Sequence, residues 1–178
     1  MGESASQSVP GAHGVVFTPY LTGERCPYPD PNARGAFYGL TLGSKKSDIT
    51  RSVMEGVTYS LKQLVDIFGG FAQNEKVYAS GGGSVSALWR QMQADIFDLP
   101  VYTMSAASEG GAYGAVMVAG VGAGIWKNLG EAVGIIKPET ETLPNPENQP
   151  AYRKTFEVYE KIYHALKPVY DTSAELGY

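Results

Sequence analysis

The spacing of hydrophobic positions changes period several times along the chain, and each change predicts a new element. "GVVFTPYL" is a β-branched and aromatic run broken by Pro19, which predicts a short strand at a sheet edge or strand end, and "GAFYGLTL" predicts a second. The period then lengthens to that of a helix. Ile49, Val53, Val57, Leu61, Leu64 and Phe68 recur at helical spacing until Gly69 and Gly70, with Ser47 as the expected N-cap and Asp48 in the first turn. Lys76 to Ser80 predicts a strand, and a helix follows from Ser84 or Ser86 with Leu88, Met92 and Ile96 on one face. "LPVYTM" predicts another brief strand. After Glu109, "GGAYGAVMVAGVGAG" predicts a helix of small residues, shorter than the roughly 20 apolar residues that cross a bilayer. A Pro-rich loop, "KPETETLPNPENQP", leads to a last helix with Tyr152, Phe156, Tyr159, Tyr163 and Leu166 on one side.

Strands alternating with helices imply an α/β layer fold with a mainly parallel portion of sheet, in which ligands gather at the carboxyl ends of strands. Composition narrows the classes further. With 178 residues, 43% hydrophobic and 18% charged, the chain is long enough to bury a core as one globular domain. A net charge of -4 with scattered charges offers no basic face for nucleic acid or an anionic membrane. One cysteine, Cys26, has neither a disulfide partner nor metal-ligand spacing around it, which fits a reducing cytosol and a cytoplasmic location. His13 and His164 are far apart in sequence, so a zinc site is not expected. The first 13 residues, rich in Ser, Gly and Pro, read as a linker or solvated edge, with a domain over 14–170 and a tail over 171–178.

The segment "KVYASGGGSVSALWRQMQADIF" carries the candidate chemistry, because three consecutive glycines separate a predicted strand from a predicted helix. Such a run costs conformational entropy and is used where the backbone takes positive φ or where something approaches closer than a Cβ allows. Close packing alone is one explanation and a ligand the other. A Walker phosphate loop fails, since no lysine follows the glycines. A dinucleotide fingerprint fails as well: its third glycine position, counted from Gly81, holds Ser86, and the acid wanted about 20 residues on is replaced by Met104 and Ser105. What remains is a backbone platform with hydroxyls at Ser84 and Ser86, suited to a flat base or ribose and poor in charge for phosphates.

Four stretches together resemble the C-terminal domain of the FGGY carbohydrate kinases, and most closely their xylulokinase branch. They are "PYLTGERCPYPDPNARGAFYGLTLG", "GAFYGL" followed by "DITRSVMEG", "SGGGSVSALWRQMQADIF" and "EGGAYGAVMVAGVGAG", in the family's order between about Gly14 and Tyr170. The resemblance implies an actin-like, ribonuclease-H-like domain with a mixed sheet flanked by helices, one lobe of a two-domain sugar kinase. It implies that Gly81, Gly82, Gly83 and Ser86 form the adenosine-binding loop. It also implies ATP with Mg2+ as cofactors, a sugar such as D-xylulose as partner, and a homodimer of the full-length enzyme. The aspartate base, the sugar pocket and the upstream phosphate loops belong to family segments that this sequence does not contain, so no residue here is nominated as catalytic or as a metal ligand. Three alternatives stay open: a gluconokinase-like enzyme, a nucleotide-binding module without kinase activity, and an assembly domain that binds no nucleotide.

The remaining conspicuous residues have structural readings beside the chemical ones. Glu24, Arg25, Asp30 and Arg34 are expected to brace a Pro- and Gly-rich loop. Glu55 is expected in a solvated or capping role, and Trp89 in packing rather than base stacking. Gly110 and Gly111 open the small-residue helix, whose N-terminus suits an anion but whose safer role is packing against the adenosine loop. Cys26 is expected to be inert.

Overall fold

The computed structural model describes residues 2–69, 75–105, 110–134 and 137–177. Its elements run α1 (Gly2–Ala5), β1 (Val16–Thr18), β2 (Ala36–Tyr38), α2 (Lys46–Gly69), β3 (Val77–Ala79), α3 (Ala87–Phe97), β4 (Val101–Met104), α4 (Gly110–Gly122), α5 (Leu129–Val133), β5 (Pro138–Thr142) and α6 (Gln149–Glu175). β1 and β2 pair antiparallel, Phe17 opposite Phe37, while β3 pairs parallel with β4 and β4 antiparallel with β5. This is an α/β fold, as the alternation of periods predicts, and its pairing is mixed with flanking helices, as the resemblance implies, only β3 and β4 running parallel among the described strands. Among the described residues no helix is long and apolar enough to cross a membrane.

The core lies where α2, α3 and α6 meet β1 and β4. Val16, Tyr20, Met54, Tyr59, Met92, Val101 and Tyr159 are all buried there. The aromatic stripe predicted for the last helix points into it: Tyr152, Tyr159 and Tyr163 are buried, and Phe156 packs against the same cluster. Rings interleave between elements, Tyr59 lying 5.4 Å from Tyr159 and Tyr28 stacking on Tyr163 at 3.8 Å. α6 continues through Glu175, so most of the segment expected as a tail is helical.

α2 turns a different face inward from the one its hydrophobic spacing predicts. Ile49 and Phe68 are exposed, Val53 and Val57 are half-buried, and the buried side carries Asp48, Arg51, Ser52, Glu55, Gly56, Thr58 and Tyr59. The reason is steric and polar together. Gly56 brings the helix against the backbone of Phe17, where a Cβ would come within 2.1 Å of the carbonyl oxygen. The polar residues on that same face find partners in the N-terminal segment. The helix starts at Lys46, so Ser47 lies within it, and Asp48 Oδ2 accepts the Lys45 N–H at 2.8 Å.

Three further expectations change in the same way. The N-terminal lead is fastened down: Ala5 and Ala12 are fully buried, and Ser8 donates to Asp48. Glu55, expected in a solvated or capping role, is buried; its Oε1 accepts from Arg51 Nε at 2.7 Å and from the Gly11 N–H at 3.0 Å. The Pro-rich loop contains β5, whose Glu-Thr alternation suits a half-exposed edge strand and whose Pro138 occupies the first position, where no ladder donor is lost.

Candidate functional site

The glycine turn leaves the carboxyl end of β3. Because β3 and β4 run parallel with Ala79 opposite Thr103, the residues following both strands emerge at one edge of the sheet. Each glycine of the turn has its own task. Gly81 takes φ +76°, which only glycine adopts without strain, and turns the chain out of the strand. Gly82 borders open space: a Cβ there would meet nothing within 4 Å. Gly83 is a seat for Trp89, whose ring atoms would lie 3.0 and 3.1 Å from a Cβ. One glycine thus serves conformation, one leaves a face open and one serves packing.

Hydrogen bonds hold the turn from within and below. Gly82–Val85 forms a 3-10 turn in which Ser84 Oγ donates to the Gly81 carbonyl at 2.7 Å, and Arg90 Nη1 donates to the Ser84 carbonyl at 2.5 Å. Ser86 is the N-cap of α3, accepting the Trp89 N–H on Oγ at 3.3 Å, so the helix start predicted at Ser84 or Ser86 falls at Ser86. The indole N–H of Trp89 donates to Thr58 Oγ1 of α2 at 3.0 Å, and Thr58 in turn donates to the Met54 carbonyl at 2.8 Å. α1 passes nearby, a Cβ on Gly2 standing 3.7 Å from Ser86 Oγ.

All four residues singled out by sequence, Gly81, Gly82, Gly83 and Ser86, therefore lie on one contiguous turn. Thr58, Ser84 and Arg90 hold that turn and were not picked out as its supports. The "ALWRQM" run one step after the glycines was the available signal for Arg90 and Trp89, whereas nothing near Thr58 in sequence pointed to it. Trp89 packs, as expected. Gly110 and Gly111 start α4 on the carboxyl side of β4, with Gly111 exposed, while Glu109 lies outside the described residues. Within α4 the closest approach is to its own C-terminal loop: a Cβ on Gly120 would lie 2.2 Å from the Trp126 ring.

The charged loop residues act as braces. Glu24 Oε1 accepts the N–H groups of Arg25 and Cys26, Arg34 Nη1 donates to the carbonyls of Pro31 and Ala33, and buried Asp30 accepts from Asn32 N–H and the Tyr163 hydroxyl. Cys26 is exposed. A second polar cluster, not foreseen, joins the N-terminal segment and α6 to α2: Arg51 donates to Glu55, to the Ser8 carbonyl and to the Tyr152 hydroxyl, while His13 Nδ1 meets Asp48 at 2.9 Å. The Ser8 hydroxyl, the Lys45 N–H and His13 hold Asp48 down at about 2 despite burial. Burial pushes Glu55 up to about 7, against the pull of Arg51, and its Oε2 has no hydrogen-bond partner among the described residues. Among the described residues no group of three or more His, Cys, Asp or Glu side chains is placed to hold a metal ion.

The fold and this turn define a lobe built to present a backbone platform at the carboxyl edge of a parallel strand pair. The family described as "FGGY family of carbohydrate kinases, C-terminal domain" matches residues 1–123, and the chain belongs to that family. It is 39% identical over 166 residues to a protein named xylulose kinase from Staphylococcus epidermidis, an alignment covering 92% of this chain and 33% of the relative. Among solved structures, a gluconate kinase from Lactobacillus acidophilus superposes with a TM-score of 0.84 at 32% identity, and a ligand-bound xylulose kinase from the same organism with 0.81 at 32%. Each superposition covers 96% of this chain and 35% of the other. The chain thus spans about one third of the length of the relatives it matches.

Proposed function

We propose that this chain is the nucleotide-binding part of an ATP-dependent sugar kinase, in which the turn of Gly81, Gly82 and Gly83 lies against the adenosine moiety and Ser86 reaches its polar edge. The open face of Gly82 at the carboxyl edge of β3 carries this reading: the backbone is bare there, while the residues after it are held by Trp89 at Gly83 and by Arg90 at the Ser84 carbonyl. Ser86 Oγ already caps α3, and as a hydroxyl it has its own proton to donate while it accepts the Trp89 N–H. The favoured reaction is transfer of the ATP γ-phosphate to a hydroxyl of D-xylulose, because the xylulose kinase named above is similar over nearly the whole chain. Gluconate is the second candidate, favoured by the superposition on gluconate kinase.

Phosphoryl transfer rests on positioning and charge stabilisation. In this reading the chain contributes the positioning of the nucleoside. Magnesium bound with ATP would neutralise phosphate oxygens, and among the described residues no group of three or more His, Cys, Asp or Glu side chains is placed to hold it. The sugar site and the carboxylate base are assigned to a part of the relatives that this chain does not cover. The 178-residue chain alone is accordingly expected to bind ADP weakly and to give no turnover with ATP, magnesium and D-xylulose.

Gly82→Val tests the site. A Cβ on this residue meets nothing within 4 Å, so a branched side chain would enter the open face, the melting temperature should stay close to the wild-type value, and ADP binding by calorimetry should disappear. Normal ADP affinity in the folded variant would remove the turn from the nucleotide site. Zero heat and no thermal shift from ADP with the wild-type chain would favour an assembly domain instead.

A further inference from the structure

Resting on the nucleotide reading above, we propose that Trp89 is the positioning residue of the glycine turn, setting through Gly83 and Thr58 how the platform sits for an adenine nucleoside. The turn has little of its own to fix its height. A Cβ on Gly81 or Gly82 would meet nothing within 4 Å, and the 3-10 turn is closed on itself, the Gly81 carbonyl accepting both the N–H and the hydroxyl of Ser84. At Gly83 the backbone rests on the six-membered edge of the Trp89 indole, and one residue on, Arg90 Nη1 ties the Ser84 carbonyl. That ring is not free to follow the turn, since its N–H is tied to Thr58, which is fully buried in the middle of α2.

The chain of contacts therefore runs from the helix that packs on β1, through one side-chain hydrogen bond, to the underside of the proposed ligand surface. The same residue enters a second time: the backbone N–H of Trp89 is the group that Ser86 Oγ caps. One side chain thus fixes the height of the turn, and its own backbone fixes the orientation of the serine at the turn's far end. A tryptophan that only filled space needs just its apolar ring placed, whereas the Trp89 N–H donates to one particular side chain. A tie to a buried threonine specifies a single ring orientation.

The test uses the 178-residue chain with Trp126→Phe as the starting protein, so that Trp89 is its single tryptophan. Addition of ADP should change the Trp89 emission saturably. Trp89→Phe loses both the N–H and the outer ring beneath Gly83; Thr58→Val keeps the shape of the acceptor and loses only its oxygen. Thr58→Val should raise the calorimetric Kd for ADP and for adenosine about tenfold, the equivalent of one lost hydrogen bond, Trp89→Phe at least as much, and the double variant should lose no more than Trp89→Phe alone. A merely structural role would lower the melting temperature and leave the Kd of the folded protein unchanged. That result, or losses that add in the double variant, overturns the proposal. Should Trp89→Phe not fold, Thr58→Val alone decides, an unchanged Kd again overturning it. If the starting protein binds neither ADP nor adenosine, the nucleotide reading itself fails and this proposal with it.

Discussion

Replacing Gly56 by alanine sets two opposing effects of known size against each other. In an isolated helix interior the change favours folding by about 1 kcal/mol, because alanine has less backbone freedom to lose. Here the added methyl would stand 2.1 Å from the Phe17 carbonyl oxygen and 2.9 Å from its carbon. Relief requires α2 and β1 to separate by about 1 Å, and the obstacle is backbone rather than the end of a flexible side chain. Overpacking of this kind costs about 1–3 kcal/mol, and a clash with backbone belongs at the upper end of that range. The clash wins, with a net loss of about 2 kcal/mol, which for a chain of this length lowers the melting temperature by about 4–8 °C. Gly114→Ala in α4 is the control, since a Cβ there meets nothing within 4 Å and the propensity gain is unopposed. Thermal and urea melts followed by circular dichroism should place Gly56→Ala below and Gly114→Ala level with or above the wild-type protein. A Gly56→Ala variant that melts at or above the wild-type temperature would refute the reasoning.

Acid and neutral pH should weaken the fold through different groups. Asp48 is held at about 2, below its unfolded value near 3.8, so the stability it contributes is present above that value and is lost as pH falls through about 2; Asp48→Asn should flatten this limb of a melting-temperature profile. Glu55 is raised to about 7 from an ordinary 4.5, so the folded state binds the extra proton between these values and stability declines as pH rises across that window, a slope that Glu55→Gln should abolish. Ending the chain before Gln149 removes Tyr152, Tyr159 and Tyr163 from the core and should give an insoluble or molten product, whereas a sharp cooperative melt would make α6 a partner-binding arm.

The sequence by itself determined the order and kind of most elements, because helix and strand periods are local properties of consecutive residues. It located the glycine turn between β3 and α3, narrowed the start of α3 to Ser84 or Ser86, and marked the inward face of α3 and the aromatic face of α6. The long ordered stretches running from "PYLTGER" to "EGGAYGAV" were enough to place the chain in its family. Tertiary structure alone decided which face of α2 turns inward. The hydrophobic spacing pointed to Ile49 and Phe68, but the close approach of Gly56 to Phe17 and the bonds of Asp48 to Ser8, Glu55 to Gly11 and Arg51 to Tyr152 join residues distant in sequence, beyond any local pattern. β5 escaped notice for a related reason: an edge strand of Glu and Thr needs a neighbour's ladder rather than an apolar face. The division of labour among the three glycines was also hidden, since identical residues differ only in what surrounds them. Gly81 is defined by its φ, Gly82 by empty space and Gly83 by a tryptophan ring six residues further on.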